Sequence, residues 1–190
     1  MNTQCPAPSA AQVCPDYIVH YYEADRGPFR SLSDLIGKEA EAILAGIRAE
    51  GIVFASKRTT EYLSVRRTLE DRIRDLFVAK GGHPKRLRPH YFILGSCDWV
   101  KGWYRDGRAV HIPLRDVDPQ AISFTYGDSF PAMRYKDEKP YRGQVYILAE
   151  LPGLIKSYGL PQVWNPEGKY GPERYIEAQV WDDMAISTNY

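Results

Sequence analysis

The chain has 190 residues, 44% of them apolar, with 25 basic side chains against 24 acidic ones. That is enough apolar material for one domain with a proper core. The even charge balance excludes a dedicated nucleic-acid coat or a basic membrane-surface protein, although it leaves room for a local basic patch.

Met1 to Pro15 is small, polar and proline-containing. It reads as a flexible tail rather than a secretory signal, because no basic start is followed by an apolar block. Residues 16–190 read as a single α+β domain. No apolar run approaches the length of a membrane span, so no membrane partner is expected. Cys5, Cys14 and Cys97 lack paired spacing, which points to reduced thiols, a cytoplasmic home and no metal.

Tyr17 to Tyr22 is β-branched and aromatic and reads as a first strand. Ser31 and Asp34 have the spacing of a capping box before a helix carrying Leu35, Ile36, Ala40, Ile43, Leu44 and Ile47, with Gly51 as its stop. Thr59 or Thr60 caps a second helix with an inward stripe of Tyr62, Leu69, Ile73, Leu76 and Phe77. Its other face carries Arg66, Arg67, Arg72, Arg74 and Lys80. The second half reads as strands at 90–94, 110–114, 121–126, 143–148 and 175–181, with a short helix over 150–158. This order predicts α+β: a mostly antiparallel mixed sheet with two N-terminal helices packed on it.

The Walker, GxGxxG, HExxH and GxSxG motifs are all missing from the sequence. Four stretches carry side chains suited to chemistry. His20 stands near the end of the first strand beside Tyr21 and Tyr22, where a histidine serves as a base or a ligand clamp. Lys80, Lys85, Arg86 and Arg88 follow one another in a Gly-containing loop suited to phosphate or nucleic-acid contact. A strand runs into a Gly-Asp-Ser turn at Tyr126, Asp128 and Ser129, a place where binding side chains gather. On the last strand, alternation puts Ile176, Ala178 and Val180 on one face and Glu177, Gln179 and Trp181 on the other, the latter a candidate ligand floor.

The stretches HYY at 20–22, KGGHPKRLRPHYFILG at 80–95, SFTYGDSFPAM at 123–133 and YIEAQVW at 175–181 resemble a group of uncharacterised bacterial proteins. The order of His20, an aromatic and hydroxyl cluster at Tyr126, and Glu177 on a late strand is also similar to the His-Tyr-Glu branch of the ADP-ribosyltransferase superfamily. That resemblance implies NAD as substrate, His20 on its ribose, Tyr126 against nicotinamide and Glu177 beside the ribosyl cation. Tyr22, Arg30, Arg66, Arg67, Asp128, Ser129, Gln179 and Trp181 would complete the ligand site. The Glu-x-Glu or Gln-x-Glu ending of protein-directed members is absent, since Glu177 is followed by Gln179, so a nucleic-acid target or no activity is left open. On this reading His20, Tyr126 and Glu177 converge in one cleft. The competing readings are a nucleotide- or nucleic-acid-binding module without chemistry, built on the basic loop, and a protein-interaction or immunity-type subunit anchored by its tyrosines and tryptophans.

Overall fold

A computed structural model describes residues 13–51 and 53–187. Six antiparallel strands form one sheet: β1 (Tyr17–Glu23), β2 (His90–Leu94), β3 (Gly107–Pro113), β4 (Ile122–Tyr126), β5 (Tyr146–Ile147) and β6 (Ile176–Val180), in the order β3-β1-β2-β6-β4-β5. Seven helices accompany them among the described residues: α1 (Gly37–Glu50), α2 (Tyr62–Ala79), α3 (Asp98–Lys101), α4 (Ser129–Arg134), α5 (Leu151–Tyr158), α6 (Pro161–Trp164) and α7 (Met184–Ser187). The fold is α+β. None of the described helices is long and apolar enough to cross a membrane.

Pleating assigns each strand residue to a face. One face carries Ile18, Phe92, Leu94, Ile112, Phe124, Tyr126, Ile176 and Val180 into the largest core, which α5 closes with Leu151, Leu154 and Ile155. The opposite face is covered in two places. Beneath α2, Leu69, Ile73 and Phe77 pack on Trp181 and Met133. Beside α3, Val19, Tyr21, Ile93 and Tyr175 pack around Val100. Helix α1 rests on the start of α2 through Ala40, Leu44 and Leu63.

β1 and β2 pair only at Ile18 with Leu94 and Val19 with Ile93. At His20 the strands part, and the imidazole takes over the bridging role. Nδ1–H donates to the Tyr91 carbonyl at 2.8 Å, while Nε2 accepts the Phe29 N–H at 3.0 Å.

Local differences from the sequence reading have local causes. Ser31 caps a 3-10 turn at Leu32–Asp34, accepting from Ser33 N–H, so α1 begins later, at Gly37. Gly51 ends α1 as expected, with φ 67 and its N–H on the Ile47 carbonyl. The threonines do not cap α2; Glu61 holds that position without a side-chain bond. β5 shrinks to two residues because Gly143 N–H is bound to Ala132 and Ile147 N–H to the Glu150 carboxylate. Of the residues expected to form a tail, 1–12 lie outside the described ones, Cys5 among them, whereas Cys14 is half-buried against the main core.

Candidate functional site

Glu177 sits in the middle of β6, paired across to Ile93 on β2 and Thr125 on β4. It therefore projects from the α2 side of the sheet, as alternation requires, and is 7% exposed. Gln179 Nε2 donates to Glu177 Oε1 at 3.1 Å, and Ser129 adds a second hydrogen bond to its carboxyl group. Asp128, one residue away from Ser129, accepts from Phe130 N–H at 2.8 Å and from the Tyr175 hydroxyl at 2.9 Å.

The polar-turn residues Asp128 and Ser129 thus do meet the late-strand residues. Gly127, with φ 95, makes this possible by turning the chain from β4 into α4 in a conformation that a side chain would strain.

Arg66 joins them from α2. Its guanidinium lies over the Tyr91 ring at 4.3 Å, donates to the Tyr62 hydroxyl at 2.6 Å and pairs with Glu70 at 2.9 Å. Glu70 is fully buried and also accepts from Ser33 Oγ at 2.8 Å and the Tyr91 hydroxyl at 3.1 Å. Tyr62 stacks on Phe130 with ring centroids 5.1 Å apart. On the other flank, Tyr175 touches the Trp99 and Trp103 rings at 6.3 and 6.5 Å. Of these aromatics, Tyr91 and Tyr175 are near enough to feel the charge of Glu177.

Electrostatics separates Glu177 from its neighbours. Burial pushes its carboxyl up to about 8, and the charge of Asp128 adds to that. The hydrogen bonds from Gln179 and Ser129 and the charge of Arg66 only partly oppose it. The hydroxyls of Tyr91 and Tyr175 are also held well above the usual phenol range, first by burial, with the Glu177 charge contributing to both. The other buried carboxylates have cations at hand: Glu23 has Arg26, Glu70 has Arg66, Glu173 has Lys139 and Asp182 has Lys85. Glu177 has no ion-pair partner among the described residues.

Two of the three residues expected to converge do not reach this place, so the three-residue cleft on which the resemblance rested is not formed. His20 packs its ring on Phe92 and Phe29, at 5.4 and 4.7 Å. Phe92 pairs with Ala178, so His20 belongs to the sheet face opposite Glu177. Burial lowers its imidazole to about 4, and both ring nitrogens are committed, so it is a neutral strut. Phe29, which it holds, has the left-handed φ of 60 that a non-glycine residue adopts only when fixed by its surroundings.

Tyr126 is fully buried in the main core, with its hydroxyl between the carbonyls of Tyr158 and Gly159 at 2.6 and 2.9 Å. It ties the end of α5 to β4 and cannot stack on a ligand beside Glu177. Tyr22 lies on the same face as His20, against the main core.

The remaining expected site residues fall into two groups. Gln179 and Trp181 lie beneath Glu177 but are fully buried, so they act on it from below. The others are used elsewhere. Arg67 donates to the Leu35 carbonyl at 2.6 Å, and Arg30 is exposed in the loop after β1. The basic loop is neutralised: Lys80 pairs with Glu150, Lys85 with Asp182, Arg86 with Asp34 and Asp183, and Arg88 with Asp71.

Glu70 and Tyr175 were missed as site residues. Arg66 does not lie on the outer charged face where the sequence reading put it: positions 62, 66, 70, 73 and 77 share one helical stripe, and the i,i+4 spacing of Arg66 and Glu70 within it was the signal for their pair.

No family model, curated protein or solved structure matches the chain.

Proposed function

We propose that the chain is an enzyme that uses Glu177 at a bond whose cleavage leaves positive charge on a ribose. The substrate is NAD, and the acceptor is a nucleic acid or another macromolecule. The observation that carries the reading is the unpaired state of Glu177. Unlike the other buried carboxylates, Glu177 has no ion pair among the described residues, and the more distant charge of Arg66 does not outweigh burial and Asp128, so a positively charged guest would favour its ionised form.

The chemistry follows from that preference. A cationic nicotinamide ring arriving beside Glu177 favours its ionised form, so its proton leaves as the substrate binds. The nicotinamide nitrogen departs with the bonding pair, and the carboxylate lies beside the resulting ribosyl cation. An oxygen or nitrogen of the acceptor supplies the new pair at the ribose carbon and gives its proton to Glu177. Arg66 is the cation nearest this centre. His20 and Tyr126 have no part in the reaction.

A binding module without chemistry finds less support, because the basic loop on which it rests has its cations paired internally. The proposal is tested by incubating the full chain with NAD, alone or with single-stranded DNA, RNA or a protein mixture, and measuring free nicotinamide. Release above the blank in any of the four supports it; none in all four removes NAD as the substrate.

A further inference from the structure

The side chains beneath Glu177 form a chain of hydrogen bonds whose direction can be deduced. The Trp181 indole N–H only donates, and its partner is Ser123 Oγ at 2.9 Å. Ser123 therefore spends its own proton elsewhere, and the available acceptor is Gln179 Oε1 at 2.9 Å. That places the Gln179 amide nitrogen on the other side, toward Thr125 Oγ1 and Glu177 Oε1, each at 3.1 Å. Thr125 makes the same demand independently, because its hydroxyl proton is bound to the Gly127 carbonyl at 2.9 Å, leaving Oγ1 to accept. The orientation of Gln179 is thus set from both ends, with all of Ser123, Thr125, Gln179 and Trp181 withdrawn from solvent.

We infer that Ser123 and Trp181 are positioning residues: through Gln179 they fix a donor on Glu177 Oε1 and so direct the transferable proton of Glu177 to Oε2. The relay bears on the reaction only if Glu177 is the reactive carboxyl, as proposed above. Asp128 at the N-cap of α4, Ser129 in its first turn, Arg66 from α2, Tyr91 from β2 and Tyr175 just before β6 also act on Glu177. Tyr91 is the cross-strand partner of Gln179, so its ring is the neighbour to follow beside Glu177 in the Gln179 variant.

The experiment is a carbon-13 NMR titration of the Glu177 carboxyl in the full chain, with Gln179→Met, Ser123→Ala and Trp181→Phe beside the parent and near-ultraviolet circular dichroism to confirm folding. Gln179→Met removes the donor and raises the midpoint by roughly one unit. Ser123→Ala removes one of the two constraints on the amide, leaving Thr125 to hold it, and raises the midpoint by a smaller amount. Trp181→Phe keeps the ring on Phe77 and raises it less. Should Ser123→Ala not fold, Gln179→Met and Trp181→Phe carry the test. A midpoint unmoved in a folded Gln179→Met variant overturns the relay. A shifted midpoint in a protein that releases no nicotinamide supports the relay and rejects the NAD reading, so the two failures are distinct.

Discussion

His20 and Glu177 stand on opposite faces of one sheet: His20 lies on Phe92, and the next residue, Ile93, is the one that pairs with Glu177. A histidine in that position holds the loop at Phe29 and the parting of β1 from β2. Its imidazole titrates near 4 instead of 6.5. The unfolded chain therefore takes up a proton that the native state refuses, and stability falls as pH drops from about 6.5 to about 4. His20→Gln, which keeps a donor and an acceptor, should remove roughly 2 kcal/mol of that acid dependence. Urea unfolding at pH 7 and pH 4.5 checks it; an unchanged acid dependence in the variant would show that another group is responsible.

Glu177 has the opposite sign. Its folded midpoint near 8 lies above the ordinary 4.5. Between these values the unfolded chain has lost a proton that the folded chain keeps, so the contribution is fully present below pH 4.5 and is lost as pH rises to about 8. Glu177→Gln mimics the protonated form. It should match the parent within about 1 kcal/mol at pH 4 and be more stable by on the order of 3 kcal/mol at pH 9. Paired unfolding curves at the two pH values decide, and a variant less stable at pH 9 would mean that the charged form is the one the fold favours.

The Arg66–Glu70 pair is buried, and removing one partner strands the other. Glu70→Leu should cost roughly 3–5 kcal/mol, whereas Arg66→Met with Glu70→Leu should recover much of the loss. A double variant as unstable as the single one would show that Glu70 matters through Ser33 and Tyr91 instead.

The basic loop is internally paired, so it should not drive phosphate binding. Arg86→Gln severs contacts with Asp34 and Asp183. It should lower thermal stability while leaving any affinity for single-stranded DNA within about twofold, together with its salt slope. A slope that falls by close to one unit would place Arg86 on a phosphate.

Much of the fold was legible because strand and helix signals are local. Alternation along Tyr175–Trp181 separated Glu177, Gln179 and Trp181 from Ile176, Ala178 and Val180, as the strand does, but it could not show that α2 buries Gln179 and Trp181. The face of His20 was not readable. It depends on the register of β1 against β2, whose partners lie 71 residues apart at Tyr91. The basic loop misled for the same reason. The acids that neutralise it come from as far as 97 residues away, at Asp182 and Asp183, and a run of charges carries no mark of distant partners. Tyr126 reads as an exposed strand end in isolation, but α5 folds back over it.

The most direct test of the account is nicotinamide release from NAD measured side by side for the parent chain, Glu177→Gln, His20→Gln and Tyr126→Phe, each confirmed folded, at pH 8. The account predicts release by the parent, a loss of at least about 100-fold in Glu177→Gln, of the size that removing a preorganised charge produces, and rates within about threefold of the parent for folded His20→Gln and Tyr126→Phe. Release that survives in Glu177→Gln, or that disappears equally in His20→Gln, would contradict it.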